Sequence, residues 1–296
     1  MALSISTDQV DESGRELLIY GTQDFPIAFY DDDYKKIKVA WHWHDELEFV
    51  IVTEGSIKVK IANSEFQLNK GDGYFANSGI LHVSEALSYP VTQHALVFSP
   101  KIISPANDLI WDTYVAPIVD SKNPPYIKLF SSIPWQREIL RLADSAWNQG
   151  AYERKDYPIN VRSSLTNTFK IIKDHLELLV NESKYTDKFQ RDELRIKKAL
   201  AFIENNYFSN ITIDDIAKSV DISVSSCLRL FKNVLDTTPV NYLVKLRLQK
   251  AVDALLNNTD KNINEIAYSC GFSDASYFNR CFKKEYGITP KEYRSL

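Results

Sequence analysis

The sequence predicts a multidomain α+β protein, with an N-terminal β-barrel followed by helices and then an all-α C-terminal domain that holds two helix–turn–helix motifs. Three observations predict this architecture. Residues 26–99 are a series of short β-branched or aromatic runs separated by turn signals. From Pro134 onward, apolar residues recur at helical spacing. Residues 193–296 carry no strand signal and contain one helical unit twice.

Length and composition exclude several classes of protein. The chain has 296 residues, of which 44% are hydrophobic and 25% charged, so two ordinary cores are expected rather than disorder. We find no N-terminal apolar run and no apolar stretch of about eighteen residues, and therefore predict neither a signal peptide nor a membrane span. The 3 cysteines lack metal-like spacing and favour a reduced, cytoplasmic compartment, with the thiols as small core residues.

The charge is unevenly distributed. Residues 1–189 hold 19 Lys and Arg against 26 Asp and Glu, a net charge of −7, whereas residues 190–296 hold 16 against 13, a net charge of +3, which together give the overall −4. A mildly basic C-terminal third on an acidic body is compatible with a module that faces phosphate groups.

The predicted barrel occupies residues 1–130. Its strand-like runs are IKVAWHWH, LEFVIVT, SIKVKIA, SEFQL, GYFAN and VTQHALVF, and they are cut by EGS, NKGDG and NSG. Many short strands at this spacing indicate a β-sandwich or a small barrel. Residues 1–24 precede the barrel and are polar enough to form a mobile arm.

Residues 131–182 are predicted to be a helical dimerisation segment. Within residues 158–180, apolar residues recur close to the heptad spacing of a coiled-coil seam. They are Val161, Leu165, Phe169, Ile172, Leu176 and Leu179. Two interpretations stay open, because the same stripe could pack on its own barrel or form a dimer seam. The polar residues 183–192 are the predicted linker.

The C-terminal domain, residues 193–296, contains the repeat. IAKSVDISVSSCLRLFKNVLDTTP begins at Ile216, and IAYSCGFSDASYFNRCFKKEYGITP begins at Ile266 with one additional residue. A short repeat of this kind between helices is typical of a doubled helix–turn–helix. Capping patterns open both units, at Thr212 with Asp215 and at Asn262 with Glu265.

The turn of each unit needs a residue that tolerates a positive φ. Gly271 occupies that place in the second unit and Asp221 in the first. We predict that Ser223 and Ser273 cap the helix that follows the turn.

The outward faces of the two predicted recognition helices suit base edges in a major groove. They comprise Ser225, Ser226, Leu228, Arg229 and Lys232 in the first helix, and Ala275, Ser276, Asn279, Arg280 and Lys283 in the second. Arg suits guanine, Asn suits adenine, and exposed Leu or Ala suits a thymine methyl group. Arg229 and Arg280 are the predicted base contacts. The alternative is a helical partner-binding domain, whose charges would simply be solvated.

This region resembles the DNA-binding domain of the AraC/XylS family of bacterial transcription regulators. The strongest resemblance is IAYSCGFSDASYFNRCFKKEYGITPKEYR at residues 266–294. It implies two helix–turn–helix motifs that read successive major grooves of one duplex, about 34 Å apart. The first motif departs from the family pattern, with Asp221 in place of Gly and Leu228 in place of a polar reader.

Residues 41–48, WHWHDELE, raise the question of a metal or ligand site. HWHDELEFVIVTEG resembles the first motif of the cupin barrel, and GDGYFANSGILH at residues 71–82 resembles the second, although Asn77 and Ala86 depart from it. The resemblance implies that His42, His44, Glu48 and His82 converge inside the barrel. Three interpretations stay open: direct binding of an organic effector, binding of a divalent transition metal such as Zn, Mn, Fe or Ni, or a structural cluster.

Aromatic residues beside these motifs are further candidates. Tyr74 is assigned to the effector site together with His42, His44, Glu48 and His82. Strand alternation puts Trp41 and Trp43 on the face opposite the histidines, as outer core.

The sequence thus predicts a cytoplasmic, non-enzymatic transcription regulator of carbohydrate uptake or metabolism genes, which responds to a small-molecule effector of the sugar class bound in the barrel. Its expected partners are double-stranded promoter DNA, the effector and a second copy of the chain, and RNA polymerase is a further partner that the resemblance allows. No cofactor is assigned beyond the metal considered above. The alternative is a metal-dependent cupin enzyme with an appended DNA-binding domain.

Overall fold

The computed structural model describes residues 3–4, 15–16, 20–37, 39, 41–62, 64–120, 123–182, 186–257 and 261–295. Residues 15–190 belong to one compact unit and residues 191–296 to a second. The boundary falls within the predicted linker 183–192. Most of the predicted N-terminal arm lies outside the described residues.

The first unit is built on two antiparallel sheets. Their strands are β1 (Ile27–Asp33), β2 (Leu47–Glu54), β3 (Ser56–Ile61), β4 (Ser64–Asn69), β5 (Gly73–Ala76), β6 (His82–Ala86), β7 (Thr92–Phe98) and β8 (Tyr126–Leu129). The larger sheet has the order β1-β7-β2-β5-β8 and the smaller one β4-β3-β6. The sheets are not closed into one continuous barrel, but they enclose a common interior in the manner of a cupin-like jelly roll.

Strand alternation gives this unit two cores. On β2, Phe49 and Ile51 pack outward against the helices, whereas Val50 and Val52 pack into the space between the sheets. Glu48 shares the inward face with Val50 and Val52, so a carboxylate points into an otherwise apolar interior. This alternation is what positions the candidate site.

Helices cover the outer face of the larger sheet. A 3₁₀ turn (Pro100–Ile102) and a π-helical turn (Trp111–Val115) lead to the short α1 (Ala116–Val119), and α2 (Pro134–Ala151), α3 (Tyr157–Asp174) and α4 (Leu176–Glu182) follow. The indole Nε1 of Trp147 donates to the carbonyl oxygen of Tyr30 over 2.9 Å, which fixes α2 to β1.

The proposed dimer seam is part of this covering layer. Val161, Leu165, Phe169 and Ile172 are fully buried in the core that α3 shares with α2 and the outer face of the larger sheet, and α3 ends just before His175. The interpretation of these residues as a dimer seam is therefore wrong, because their apolar surface is already covered within one chain. Ile159, 63% exposed, and Leu178, 48% exposed, remain on the outside.

The second unit is helical, as predicted. It contains most of α5 (Asp187–Asn206), α6 (Ile213–Lys218), α7 (Val224–Leu235), α8 (Pro239–Asn257), α9 (Ile263–Ser269), α10 (Ala275–Tyr286) and α11 (Pro290–Arg294). The linker prediction was too long, since α5 begins at Asp187. Helix α5 is rich in polar residues but has one apolar face, which includes the buried Ile196, Leu200 and Ile203.

None of the helices in the described ranges is long and apolar enough to cross a membrane. Cys227 and Cys270 are buried as free thiols, and Cys281 is partly buried.

Candidate functional site

Two helix–turn–helix motifs are present in the second unit, formed by α6 with α7 and by α9 with α10. Capping boxes open both motifs: the Thr212 and Asn262 side chains accept from the backbone N–H groups of Asp215 and Glu265, whose carboxylates accept in return. Asp221 and Gly271 adopt positive φ angles of 54° and 85° in the two turns. The repeat in the sequence is therefore a repeat of structure.

One predicted cap is wrong. Ser223 caps α7, but the N-cap of α10 is Asp274 rather than Ser273, and its Oδ1 accepts from the N–H groups of Ser276 and Tyr277 at 2.6 and 3.3 Å. The additional residue in the second unit displaces the helix start by one position. Asp satisfies the free N–H groups of the first turn as well as Ser does.

The proposed base-reading faces lie on the surface of the second unit. Cys227, Leu230 and Phe231 of α7 and Phe278 and Phe282 of α10 are buried. The opposite faces are exposed at Ser225, Leu228, Arg229, Lys232, Ser276, Arg280 and Lys283, and partly exposed at Ser226, Ala275 and Asn279. Both faces are thus presented to a partner, as insertion into DNA grooves requires.

Some of these side chains already have intramolecular partners. The Asn279 amide donates to the carbonyl oxygen of Ala275 over 2.9 Å, so it must exchange this bond before it can contact adenine. Lys232 forms an ion pair with Asp236 at the end of α7.

The histidine cluster lies in the interior of the first unit. The prediction of a regular strand at IKVAWHWH is wrong, because His42 and Trp43 form only isolated bridges there. His42 instead exchanges backbone hydrogen bonds with His82, at 3.1 and 3.0 Å, and the N–H of Gly79 donates to the carbonyl oxygen of His44 over 2.8 Å. These bonds and the antiparallel pairing of β2 with β5 bring the two predicted motifs together.

The four predicted ligands converge. One ring nitrogen each of His42, His44 and His82 lies within 4.8 Å of the others. Oε2 of Glu48 is 2.9 Å from Nε2 of His82 and 3.7 Å from Nε2 of His44. His44, Glu48 and His82 are buried, and His42 is partly buried. A carboxylate among three imidazoles therefore lies in a largely dry interior.

The outer ring nitrogens are held by the backbone. Nδ1 of His44 lies 3.1 Å from the carbonyl oxygen of Glu46, and Nδ1 of His82 lies 2.8 Å from that of Ile80. A carbonyl can only accept, so these Nδ1 atoms carry protons, and the Nε2 atom of each ring faces the cluster.

Three atoms of the cluster are buried without a hydrogen bond of good geometry: Nε2 of His44, Nε2 of His82 and Oε2 of Glu48. The 2.9 Å separation from His82 to Glu48 brings the two close enough for an ion pair, but its geometry is not that of a hydrogen bond. Buried polar atoms in this state are rare and indicate a missing donor or cation.

The charged groups of the cluster shift one another's pKa. Burial alone would raise the pKa of Glu48, but His82 and His44 outweigh it and hold the pKa below its usual range. Burial would likewise lower the pKa of His44, and the neighbouring Glu48 raises it instead. Glu48 is thus an anionic acceptor at neutral pH.

A second carboxylate, that of Glu16, lies beside the cluster and was not predicted from the sequence. The N–H of Glu16 donates to the carbonyl oxygen of Trp43 over 2.8 Å, and its Oε2 lies 4.0 Å from Nε2 of His42. The Tyr20 hydroxyl donates to the same carboxylate, and burial raises the pKa of Glu16. Arg15 forms an ion pair with Asp45 over 2.5 Å. No motif or periodicity in the sequence indicates a role for Glu16. It lies in residues 1–24, which were predicted to be a mobile arm.

Polar side chains continue along the interior beside the cluster. Tyr74 is buried, and its ring centre is 6.4 Å from that of His82, in agreement with its predicted place. Ser84 follows His82 by two positions on β6, and its hydroxyl is 2.5 Å from that of Tyr34. Tyr34 in turn donates to Gln93 over 2.7 Å. Trp41 and Trp43 are partly buried and belong to neither core cluster.

The donor set fits a divalent transition metal. Imidazole nitrogens with one carboxylate suit Zn, Mn, Fe or Ni, and the backbone bonds to Nδ1 are the outer contacts that such histidines usually make. His42, His44, His82 and Glu48 would hold the ion, which would supply a Lewis-acidic centre for an oxygen ligand. The same unpaired atoms also fit an organic molecule that carries hydroxyl groups.

Both halves of the chain match models of known protein families. Residues 25–125 match the model of the AraC-like ligand binding domain, and residues 216–295 match that of a helix-turn-helix domain. The uncharacterized HTH-type transcriptional regulator YdeC of Bacillus subtilis (strain 168) is 31% identical over 294 residues, spanning 97% of this chain and 98% of that protein.

Two further relatives are named for transcription regulation. The melibiose operon regulatory protein of Escherichia coli (strain K12) is 24% identical over 298 residues, covering 92% of this chain and 91% of that protein. The HTH-type transcriptional activator RhaS of Escherichia coli (strain SE11) is 26% identical over 257 residues, covering 86% of each. The chain belongs to the AraC family of transcription regulators, with an AraC-like ligand-binding domain ahead of a double helix–turn–helix.

Proposed function

We propose that this regulator binds promoter DNA through α7 and α10 and that a small, neutral polyhydroxy molecule of the carbohydrate class, bound at the histidine cluster, changes its affinity for DNA. The observation that carries the effector proposal is the set of three buried polar atoms without good hydrogen bonds, on His44, Glu48 and His82. A ligand with several hydroxyl groups, each able to donate and to accept, would satisfy them together.

The charge of the site favours a neutral ligand over an anionic one. Glu16 and Glu48 both face the cluster, and among the described residues no Lys or Arg falls in the buried class. A phosphate or carboxylate on the ligand would meet two carboxylates in a medium that screens poorly. Neutral sugars are therefore expected to bind better than sugar phosphates or sugar acids. The melibiose operon in the name of one relative is consistent with this class.

The DNA proposal rests on the two exposed faces. Arg229 and Arg280 occupy corresponding places on α7 and α10 and carry the bidentate donors that guanine accepts. Lys232, Lys283 and Lys284 are assigned to phosphate groups. The effector would act by differential affinity, favouring one DNA-binding state of the chain over another. A cytoplasmic location follows from this role.

A thermal-shift screen tests the effector proposal. Neutral monosaccharides and disaccharides are compared with the corresponding sugar acids and sugar phosphates, each in the presence of a chelator. A ligand at about 100 times its Kd should stabilise the protein by about 2.7 kcal/mol. Glu48→Gln should abolish the shift, whereas His175→Ala, which replaces a histidine stacked on Trp135 outside the cluster, should retain it. The absence of any shift by neutral sugars would refute the effector class.

A metal-responsive regulator is the second candidate, favoured by the closeness of the three imidazole nitrogens. Elemental analysis of protein purified without a metal-affinity tag distinguishes the two. A stoichiometric transition metal that is lost in His82→Ala would favour metal sensing. Metal-free protein that a sugar stabilises would exclude it. The alternative of a cupin enzyme gains no support from the relatives, whose names describe regulators.

We also propose that the protein acts as a homodimer. The stripe first assigned to the seam is buried, so a dimer would have to use outer residues of the same helices, such as Ile159 and Leu178. RNA polymerase remains a further proposed partner.

A further inference from the structure

We propose that Arg247 is a positioning residue that sets the placement of the second helix–turn–helix motif relative to the first, so that both motifs can read one duplex. The proposal rests on the proposed DNA binding. Arg247 lies on α8, the helix between the motifs, and is partly buried.

The guanidinium group binds the turn that follows α5, which ends at Asn206. Its Nε donates to the carbonyl oxygen of Tyr207 and its Nη2 to that of Ser209, both over 2.7 Å. A cation just beyond the C-terminal end of a helix also complements the helix dipole. Since α6 begins at Ile213, only a few residues beyond these carbonyls, the clamp holds the entrance to the first motif.

The same group contacts the turn of the second motif. It lies 5.9 Å from the ring centre of Phe272, which is buried in the core of that motif. A Cβ on the preceding Gly271 would lie 2.2 Å from the carbonyl oxygen of Tyr207 and 2.8 Å from Nε of Arg247. The end of α5, the α8 side chain and the second turn therefore meet with no space for even a methyl group.

This junction joins parts far apart in sequence. Arg247 is 40 residues from Tyr207. Because its charge-assisted hydrogen bonds are directional, they fix both the distance and the angle between α8 and the turn after α5. Lys250, one turn later on α8, adds an ion pair of 2.5 Å to Glu204 of α5. The two motifs are thus held at a fixed offset, and a bipartite DNA site would be read at one spacing.

The test uses the full chain and a duplex that the wild-type protein selects from a random pool. Derived duplexes have each half of the selected site scrambled in turn, or one base pair inserted between the halves. Arg247→Met should reduce the gain in affinity of the intact over the half-scrambled duplexes by about tenfold or more, equivalent to about 1.4 kcal/mol. The affinity of Arg247→Met for the half-scrambled duplexes should equal that of wild type. The inserted base pair should lower its affinity by a smaller factor than it lowers the affinity of the wild-type protein.

Two further variants control for charge and for geometry. Lys245→Met removes an exposed cation from the same helix and should leave the spacing preference intact. Arg247→Lys, which cannot make the forked pair of bonds, should fall between wild type and Arg247→Met. Retention of the full gain by Arg247→Met, or an equal loss on every duplex, would overturn the inference. If wild-type protein selects no duplex at all, the proposed DNA binding itself fails.

Discussion

Replacement of Gly271 by alanine tests how tightly the second motif is joined to α5. Gly271 has a φ of 85°, a region in which an L-residue costs about 1–2 kcal/mol. The added Cβ would also lie 2.2 Å from the carbonyl oxygen of Tyr207, whereas ordinary contacts begin near 3.4 Å. The carbonyl would have to move by about an ångström.

That movement would break the bond from Arg247 to Tyr207. A hydrogen bond to a charged group contributes about 1.5–3 kcal/mol, so the two effects together predict a loss of roughly 2.5–5 kcal/mol in the free energy of unfolding. With a urea dependence of about 2 kcal/mol per molar, the unfolding midpoint of the second unit should fall by about 1–2.5 M.

The distribution of tryptophan provides the assay. All 5 tryptophans of the chain precede residue 191, so their emission follows the first unit alone. Far-UV circular dichroism at 222 nm follows the helices of both units. We expect Gly271→Ala to lower the midpoint of a circular-dichroism transition and to leave the tryptophan midpoint unchanged.

The corresponding position in the first motif gives the matched control. Asp221 also has a positive φ, 54°, which glycine adopts readily, and Asp221→Gly adds no atom. This substitution should therefore change the free energy of unfolding by less than about 1 kcal/mol. If Gly271→Ala has as small an effect as Asp221→Gly, or if it lowers the tryptophan midpoint, the proposed tight junction is refuted.

Four other predictions concern single side chains. Arg280→Ala should weaken binding to the selected duplex by about 1–3 kcal/mol and relax preference at one base, as repeated selection would show; an unchanged preference would contradict the assignment. Phe169→Ala removes a fully buried ring and should lower the tryptophan-detected stability by about 3–5 kcal/mol, with the second unit unaffected. Thr212→Ala should destabilise the second unit by about 1 kcal/mol in urea, whereas Thr212→Ser should not. Ile159→Glu should shift a dimer toward monomer in sedimentation velocity, and an unchanged mass would exclude this residue from the interface.

Local patterns predicted local structure well. The capping boxes, the positive φ at Asp221 and Gly271 and the buried faces of α7 and α10 depend on neighbouring residues, and each follows from spacing. The cap of α10 was misplaced because one additional residue shifts the helix start, and both Ser273 and Asp274 can serve as a cap.

Long-range partners could not be predicted in the same way. The stripe from Val161 to Leu179 has the same spacing whether it packs within one chain or against a second copy, and only the structure shows that α2 and the sheet of the same chain cover it. Glu16 enters the site through one backbone bond to Trp43, a contact that no periodicity encodes. The four histidine-cluster residues were predictable because the cupin resemblance supplied the pairing of two distant motifs.

The ion pair at the end of α7 has a consequence for how salt acts on DNA binding. Because Asp236 already accompanies Lys232, that lysine would bring less free positive charge to the duplex and would displace fewer condensed counterions than an unaccompanied lysine. The first recognition helix would then contribute little to the ionic-strength dependence of affinity, which would come mainly from α10.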